Sequence, residues 1–240
     1  MNMKAEVDLD RLEQVIKLLD TNVRHAIRIA SYFERAAYVN ADVKAYFDQS
    51  LAANGYNQVM DSLYFELILT MARLYDNPRE ISKAKKTASI PVAGSILALQ
   101  NVQETLKERL LERHDMSSTV DADASDILRL NDSVREKINH RLLDVPRILN
   151  DCQKIGSGHL VQRIRKARND LLAHTSISPA SNNKLAYGDA EKLLKFTKVI
   201  VERLQSVVCS YHISYQHECD EAIKLASIFW ERVLTGNASP

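Results

Sequence analysis

Glycine and proline are scarce in this 240-residue chain, with six and five residues respectively. That scarcity leaves few positions for turns and breakers. With Leu, Ala, Lys, Arg and Glu dominating, it favours an all-helical protein. Cysteine is also sparse. Cys152, Cys209 and Cys219 are odd in number and form no CxxC, which excludes a disulfide framework and reads as reduced thiols. An excess of one charge is missing too: 32 Lys and Arg against 31 Asp and Glu leave a formal charge of +1. No global basic field therefore points to nucleic acid, and any such site must be a local patch. Long apolar runs are absent as well. The longest mainly apolar stretch, "SIPVAGSILAL" (Ser89–Leu99), is too short to span a bilayer. The opening "MNMKAEVDLDRLEQV" is charged and amphipathic and holds no signal-peptide core. The expectation is a cytoplasmic protein with no membrane partner.

What is present is apolar spacing of three and four almost everywhere, with strand-like alternation nearly absent. A first helix is expected from about Asp8 to Ala37, with Leu12, Val15, Ile16, Leu19, Val23, Ile27 and Ala30 facing inward. "VNADVKAYFDQSLAANG" reads as a shorter helix stopped by Asn54-Gly55. "YNQVMDSLYFELILTMARLYD" is an apolar helix ending before Asn77-Pro78. Pro91 can open another helix that reaches about His114. "DMSSTVDADASD", around residues 115–124, is the clearest linker, and a helix from about Ser125 to Asp144 follows it. Pro146 should kink or break that segment, and "GSG" (Gly156–Gly158) makes a turn. After a polar loop, "TSISPASNNKLAYGD", the chain is helical from about Asp189 to Leu234, with room for a break near His212–Cys219. No repeat of fixed period appears. The architecture expected is an antiparallel helical bundle over 1–240, with N-terminal helices in 1–55 and a core in about 56–234.

Most candidate sites dissolve on inspection. Cys209, His212, His217 and Cys219 in "CSYHISYQHEC" suggest zinc. On a continuous helix, however, the two cysteines would lie roughly 15 Å apart, so no metal is expected there. "DADASD" (Asp121–Asp126) lacks the glycine and distal glutamate of a calcium loop. Gly156-Ser157-Gly158 lacks the spacing and lysine of a P-loop. His25, His114, His140 and His159 are isolated along the chain. "PREISKAKK", with Arg79, Lys83, Lys85 and Lys86, reads as a solvated basic loop. No cofactor is implied.

One segment resists that treatment. In "RIRKARNDLLAHTS" (Arg163–Ser176), Val161, Ile164, Ala167, Leu171 and Leu172 form an apolar stripe at helical spacing, and Arg168 falls inside its arc. A buried guanidinium is unfavourable unless paired and hydrogen-bonded. Two explanations stand: a salt bridge to another helix, or a face that opens onto a cleft or a second subunit. His174 falls at the edge of the same stripe, about 9 Å further along the axis. Asp170 precedes it by four residues and can meet it on one face. Arg163, Arg165 and Lys166 add positive charge nearby.

Arg168-Asn169, followed after four residues by His174, resembles the R-x(4–6)-H motif of the HEPN superfamily, including the polar residue after its arginine. "FELILTMARLYDNPREIS" (Phe65–Ser82) resembles the upstream helix of the AbiU-like abortive-infection branch, with the Arg73-to-Asp76 ending. The resemblance spans about Asn22 to Tyr211. It implies an all-α, HEPN-like four-helix core with extra helices and a homodimer with a composite active site. The activity it implies is metal-independent RNA cleavage by a toxin or antiphage effector, with an antitoxin or regulatory protein as a further partner. The implied catalytic residues are Arg168 on the phosphate, Asn169 positioning and His174 transferring protons. Asp170 would support the histidine, while Arg163, Arg165 and Lys166 would hold RNA. Position 176, a tyrosine in the subgroup controlled by nucleotidylation, is serine here, so that control is not implied. A non-catalytic helical module that binds nucleic acid, nucleotide or protein is the alternative reading.

Overall fold

The structure, a computed structural model, describes residues 3–37, 52–76, 87–115, 133, 135–173, 187–209 and 213–235. Helices are α1 (Met3–Ala37), α2 (Ala52–Leu74), α3 (Ile90–Leu97), α4 (Gln100–Asp115), α5 (Val145–Gly156), α6 (His159–Ala173), α7 (Tyr187–Leu204) and α8 (Gln216–Thr235). Residues 135–142 are also helical, and no strand occurs among the described residues. The fold is all-α.

Contacts divide the chain into two compact units. The first comprises Met1–Asp20, Tyr75–Ser157 and Val199–Ile213. Here α3 packs against α4 and α5. Gly94 permits the close approach: a Cβ built on it would sit 3.1 Å from Cys152 Cβ. Arg109 reaches from α4 to three carboxylates on α1, hydrogen-bonding Asp10 at 2.7 Å and Glu13 at 3.4 Å, with Glu6 at 3.7 Å. Arg203 pairs with Asp151 at 2.7 Å. Both flanks of the acidic segment 115–124 belong to this unit.

The second unit comprises Thr21–Leu74, Gly158–Lys198 and Ser214–Pro240. In it α2 packs against α6. Three aromatic side chains donate to carbonyls of α1: Tyr187 to Ala30 at 3.0 Å, Trp230 to Tyr32 at 2.8 Å and Tyr56 to Ala36 at 2.8 Å. Arg24 and Arg28 of α1 converge on Glu218 of α8 at 2.6 and 2.9 Å.

All seven residues expected to face inward on the first helix are buried, and the helix begins five residues before Asp8. Pro146 stands in the first turn of α5, where its missing N–H forfeits no helical bond, and a turn at residues 143–144 precedes it.

Two expected boundaries are corrected. Asn54-Gly55 does not end a helix. It lies in the first turn of α2, and Gly55 lacks the left-handed backbone that such a cap requires. Tyr56 anchors that start on Ala36 and packs edge-on against Trp230 at 5.6 Å. The single helix expected from Pro91 to His114 is two, separated at Ala98-Leu99. Gln103 Nε2 donates to the Leu97 carbonyl at 2.9 Å, satisfying an acceptor that a continuous helix would pair with backbone. Residues 39–51 of the helix expected to stop at Asn54-Gly55, the expected basic loop 79–86 and most of the expected acidic linker lie outside the described residues.

Cys152 is buried, and burial first, then the adjacent Asp151 charge, push its thiol up to about 12. The folded chain therefore keeps a proton that the unfolded chain loses near pH 9. The resulting stabilisation is complete below that pH and is lost as pH rises toward 12. Iodoacetamide should accordingly alkylate Cys152 at least about a hundredfold more slowly in native than in urea-unfolded protein, as read by peptide mass mapping. Equal rates would contradict this burial.

Candidate functional site

The helix that carries the motif is built from its buried side outward. Val161 and Ile164 of α6 are each 1 % exposed. Ala167 and Arg168 are half-buried, Lys166 and Asn169 exposed, and Arg165 and Asp170 half-buried. Arg168 therefore lies at the rim of the packed face, with its side chain still reached by solvent. The expectation that this stripe doubles as an open seam does not hold for Val161 and Ile164, which the chain itself buries. Leu171, Leu172 and Ala173 continue the helix. His174 and the loop after it lie outside the described residues.

Asn169 Oδ1 accepts from both Nε and Nη2 of Arg168, each at 3.3 Å. One acceptor bridging two of the five guanidinium N–H groups restrains the plane of the fork. This gives the residue after the arginine a direct positioning contact.

Arg163 is committed differently. Its Nη1 lies 2.8 Å from Asp189 Oδ2, in the first turn of α7, where a carboxylate also suits the helix dipole. Tyr64 of α2 stands in the same environment. Burial raises its pKa first, the Asp189 charge adds to that, and Arg163 opposes it. Phe33 stacks on Tyr187 at 4.4 Å and meets Tyr64 at 6.0 Å. No sequence signal marks this cluster, because its members are spread over residues 33–189 and meet only through the fold.

Several other candidates can now be placed. Cys209 closes a π-helical turn (Gln205–Cys209) after α7, whereas Cys219 lies in the first turns of α8. They do not share a continuous helix. Cys219 Sγ accepts from Lys198 Nζ at 3.3 Å. His25 faces Glu66 at 3.3 Å, while His140 and His159 are exposed. Among the described residues no three His, Cys, Asp or Glu side chains converge as a metal site. No helix among them is long and apolar enough to cross a membrane.

An all-helical chain with Arg-Asn on the rim of a packed helix, and a histidine six residues beyond the arginine in sequence, has the organisation of a HEPN protein. The profile of the family described as AbiU2 matches residues 10–224, and the chain belongs to this AbiU-like HEPN family. No curated protein and no solved structure matches it.

The Arg163–Asp189 pair is half-buried, so its coupling should exceed that of a fully exposed pair. A double-mutant cycle with Arg163→Ala and Asp189→Ala, followed by urea unfolding, should return a coupling of about 1 kcal/mol. Strict additivity would show that the pair contributes no mutual stabilisation.

Proposed function

We propose that this protein is a metal-independent endoribonuclease acting in abortive infection, with Arg168, Asn169 and His174 at its reaction centre. The observation that carries the reading is the Arg168–Asn169 contact on the solvent-reached rim of α6. A guanidinium held by its neighbour's amide is oriented before substrate arrives, as electrostatic stabilisation of a transition state requires. Membership of the AbiU2 family supports the same reading.

The chemistry follows from these residue types. The ribose 2′-oxygen attacks the adjacent phosphorus while the bond to the 5′-oxygen breaks, leaving a 2′,3′-cyclic phosphate and a 5′-hydroxyl. A base takes the 2′-OH proton, and an acid delivers one to the departing 5′-oxygen. Imidazole ordinarily titrates near neutrality, which suits His174 to either transfer. In a homodimer with a composite site, one histidine from each chain can take each role. Arg168 holds the phosphate and offsets charge building on its oxygens. Asp170 supports His174 from one turn earlier. Arg165 and Lys166 supply the local positive charge that the net charge of +1 lacks, while Arg163 contributes through its pairing with Asp189.

Purified wild-type protein should cleave single-stranded RNA in excess EDTA. Arg168→Ala and His174→Ala should each lower the rate at least about a hundredfold with circular dichroism unchanged. Asn169→Ala should give a smaller loss of about tenfold, since it removes the orienting contact and leaves the charge. Robust cleavage by both Arg168→Ala and His174→Ala would overturn the proposal. So would RNA binding that depends on Arg168 without turnover in the wild type.

A further inference from the structure

The ammonium of Lys198, half-buried on α7, is directed at sulfur rather than at an acid. Its Nζ donates to Cys219 Sγ of α8 at 3.3 Å. Among the described residues it meets no carboxylate, and Glu218, beside the cysteine in sequence, is held by Arg24 and Arg28. A lysine ordinarily keeps its strongly hydrated ammonium in water or on a carboxylate. Both partners belong to the second compact unit, so the contact joins two helices of one unit.

The backbone fixes the sulfur end of this contact. The Cys219 N–H donates to the Tyr215 carbonyl at 2.9 Å and so ties the residue into the start of α8. The nitrogen end is the mobile part, a four-carbon stem able to close the remaining distance. Cys219 is half-buried and within reach of a small solute. Cys152, by contrast, is buried, and its thiol is pushed up to about 12, chiefly by burial. An accessible sulfur with a nitrogen nucleophile beside it is the arrangement in which a sulfenic acid is captured as an S–N bond.

We propose that Lys198 and Cys219 are an oxidation-triggered covalent pair, in which a hydroperoxide oxidises the sulfur and the lysine amine then closes on it. In the first step the sulfur attacks one peroxide oxygen, the O–O bond breaks, and the thiol proton leaves with the departing oxygen. Thiol and hydrogen peroxide thus give sulfenic acid and water, sulfur being oxidised by two electrons and the peroxide reduced. In the second step the neutral amine of Lys198 attacks the sulfenyl sulfur. The S–N bond forms, the S–O bond breaks, and the hydroxide takes a proton from nitrogen and leaves as water. The product is a sulfenamide between α7 and α8, lighter than the reduced protein by two hydrogens and lacking the Lys198 charge. Two equivalents of a thiol reverse it: the first displaces the amine and leaves a mixed disulfide, and the second releases the Cys219 thiol. Neither residue belongs to the proposed reaction centre, so the inference stands apart from the ribonuclease reading.

Treating the folded full chain with excess hydrogen peroxide, blocking the remaining thiols and mapping tryptic peptides without reductant tests it. Wild type and Cys209→Ser should both yield a peptide pair joined through Lys198 and Cys219, uncut after Lys198 and separated by dithiothreitol. Lys198→Met should lose the joined pair, and its Cys219 should be labelled by dimedone, a trap for sulfenic acids, at least about tenfold more than in wild type. Unfolding the chain in urea before adding peroxide should lower the yield of the link at least about tenfold, because the fold then no longer holds the nitrogen at the sulfur. A Cys219 that stays reduced or is oxidised without the link would overturn the proposal. So would a Cys209–Cys219 disulfide in its place, or a link that forms equally well in urea.

Discussion

Val161 and Ile164 are almost wholly withdrawn from solvent, and a helix with two such anchors one turn apart is not free to rotate about its axis. That constraint sets the direction of every other side chain on α6. Arg168 is carried to the rim, Asn169 and Lys166 face water, and Arg163 is turned toward Asp189 at the start of α7. Asn169 then restrains the guanidinium that the rotation has placed. An arginine proposed to hold a phosphate must be both fixed and accessible, and core burial on one side of a helix achieves the first without sacrificing the second. The charge that looks misplaced in the sequence stands where packing ends.

The surroundings reinforce this geometry. The second half of α1 receives hydrogen bonds from Tyr187, Trp230 and Tyr56, and its Arg24 and Arg28 close on Glu218. Phe33, Tyr64 and Tyr187 form an aromatic group beside the Arg163–Asp189 pair. These contacts tie α1 to α2, α7 and α8 through groups whose polar atoms are satisfied, as burial demands.

Much of the fold was legible because period and capping act locally. The seven inward residues of α1 follow from spacing alone, and the break expected at Pro146 falls at the start of α5, whose first turn tolerates the missing N–H. The misread boundaries have tertiary causes. Asn54-Gly55 resembles a helix end, yet Tyr56 secures a helix start on the distant Ala36 carbonyl. The break at Ala98-Leu99 carries no glycine or proline and depends on Gln103 reaching back to Leu97. At the candidate site, motif spacing singled out Arg168 and Asn169. It could not reveal that Asn169 contacts the guanidinium, because the rotamers of neighbouring residues are not written in their order, nor that Arg163 pairs with Asp189 on another helix, because such pairing leaves no trace in a single sequence.

The proposed RNA cleavage at this rim depends on the ribose 2′-oxygen as the nucleophile. The most direct measurement maps one cleavage position on an RNA oligonucleotide and then replaces the ribose 5′ to that phosphate by deoxyribose. Cleavage should disappear at the substituted position and persist at unsubstituted ones, with 2′,3′-cyclic phosphate ends on the natural substrate. Cleavage that continues at the deoxyribose position would rule this nucleophile out.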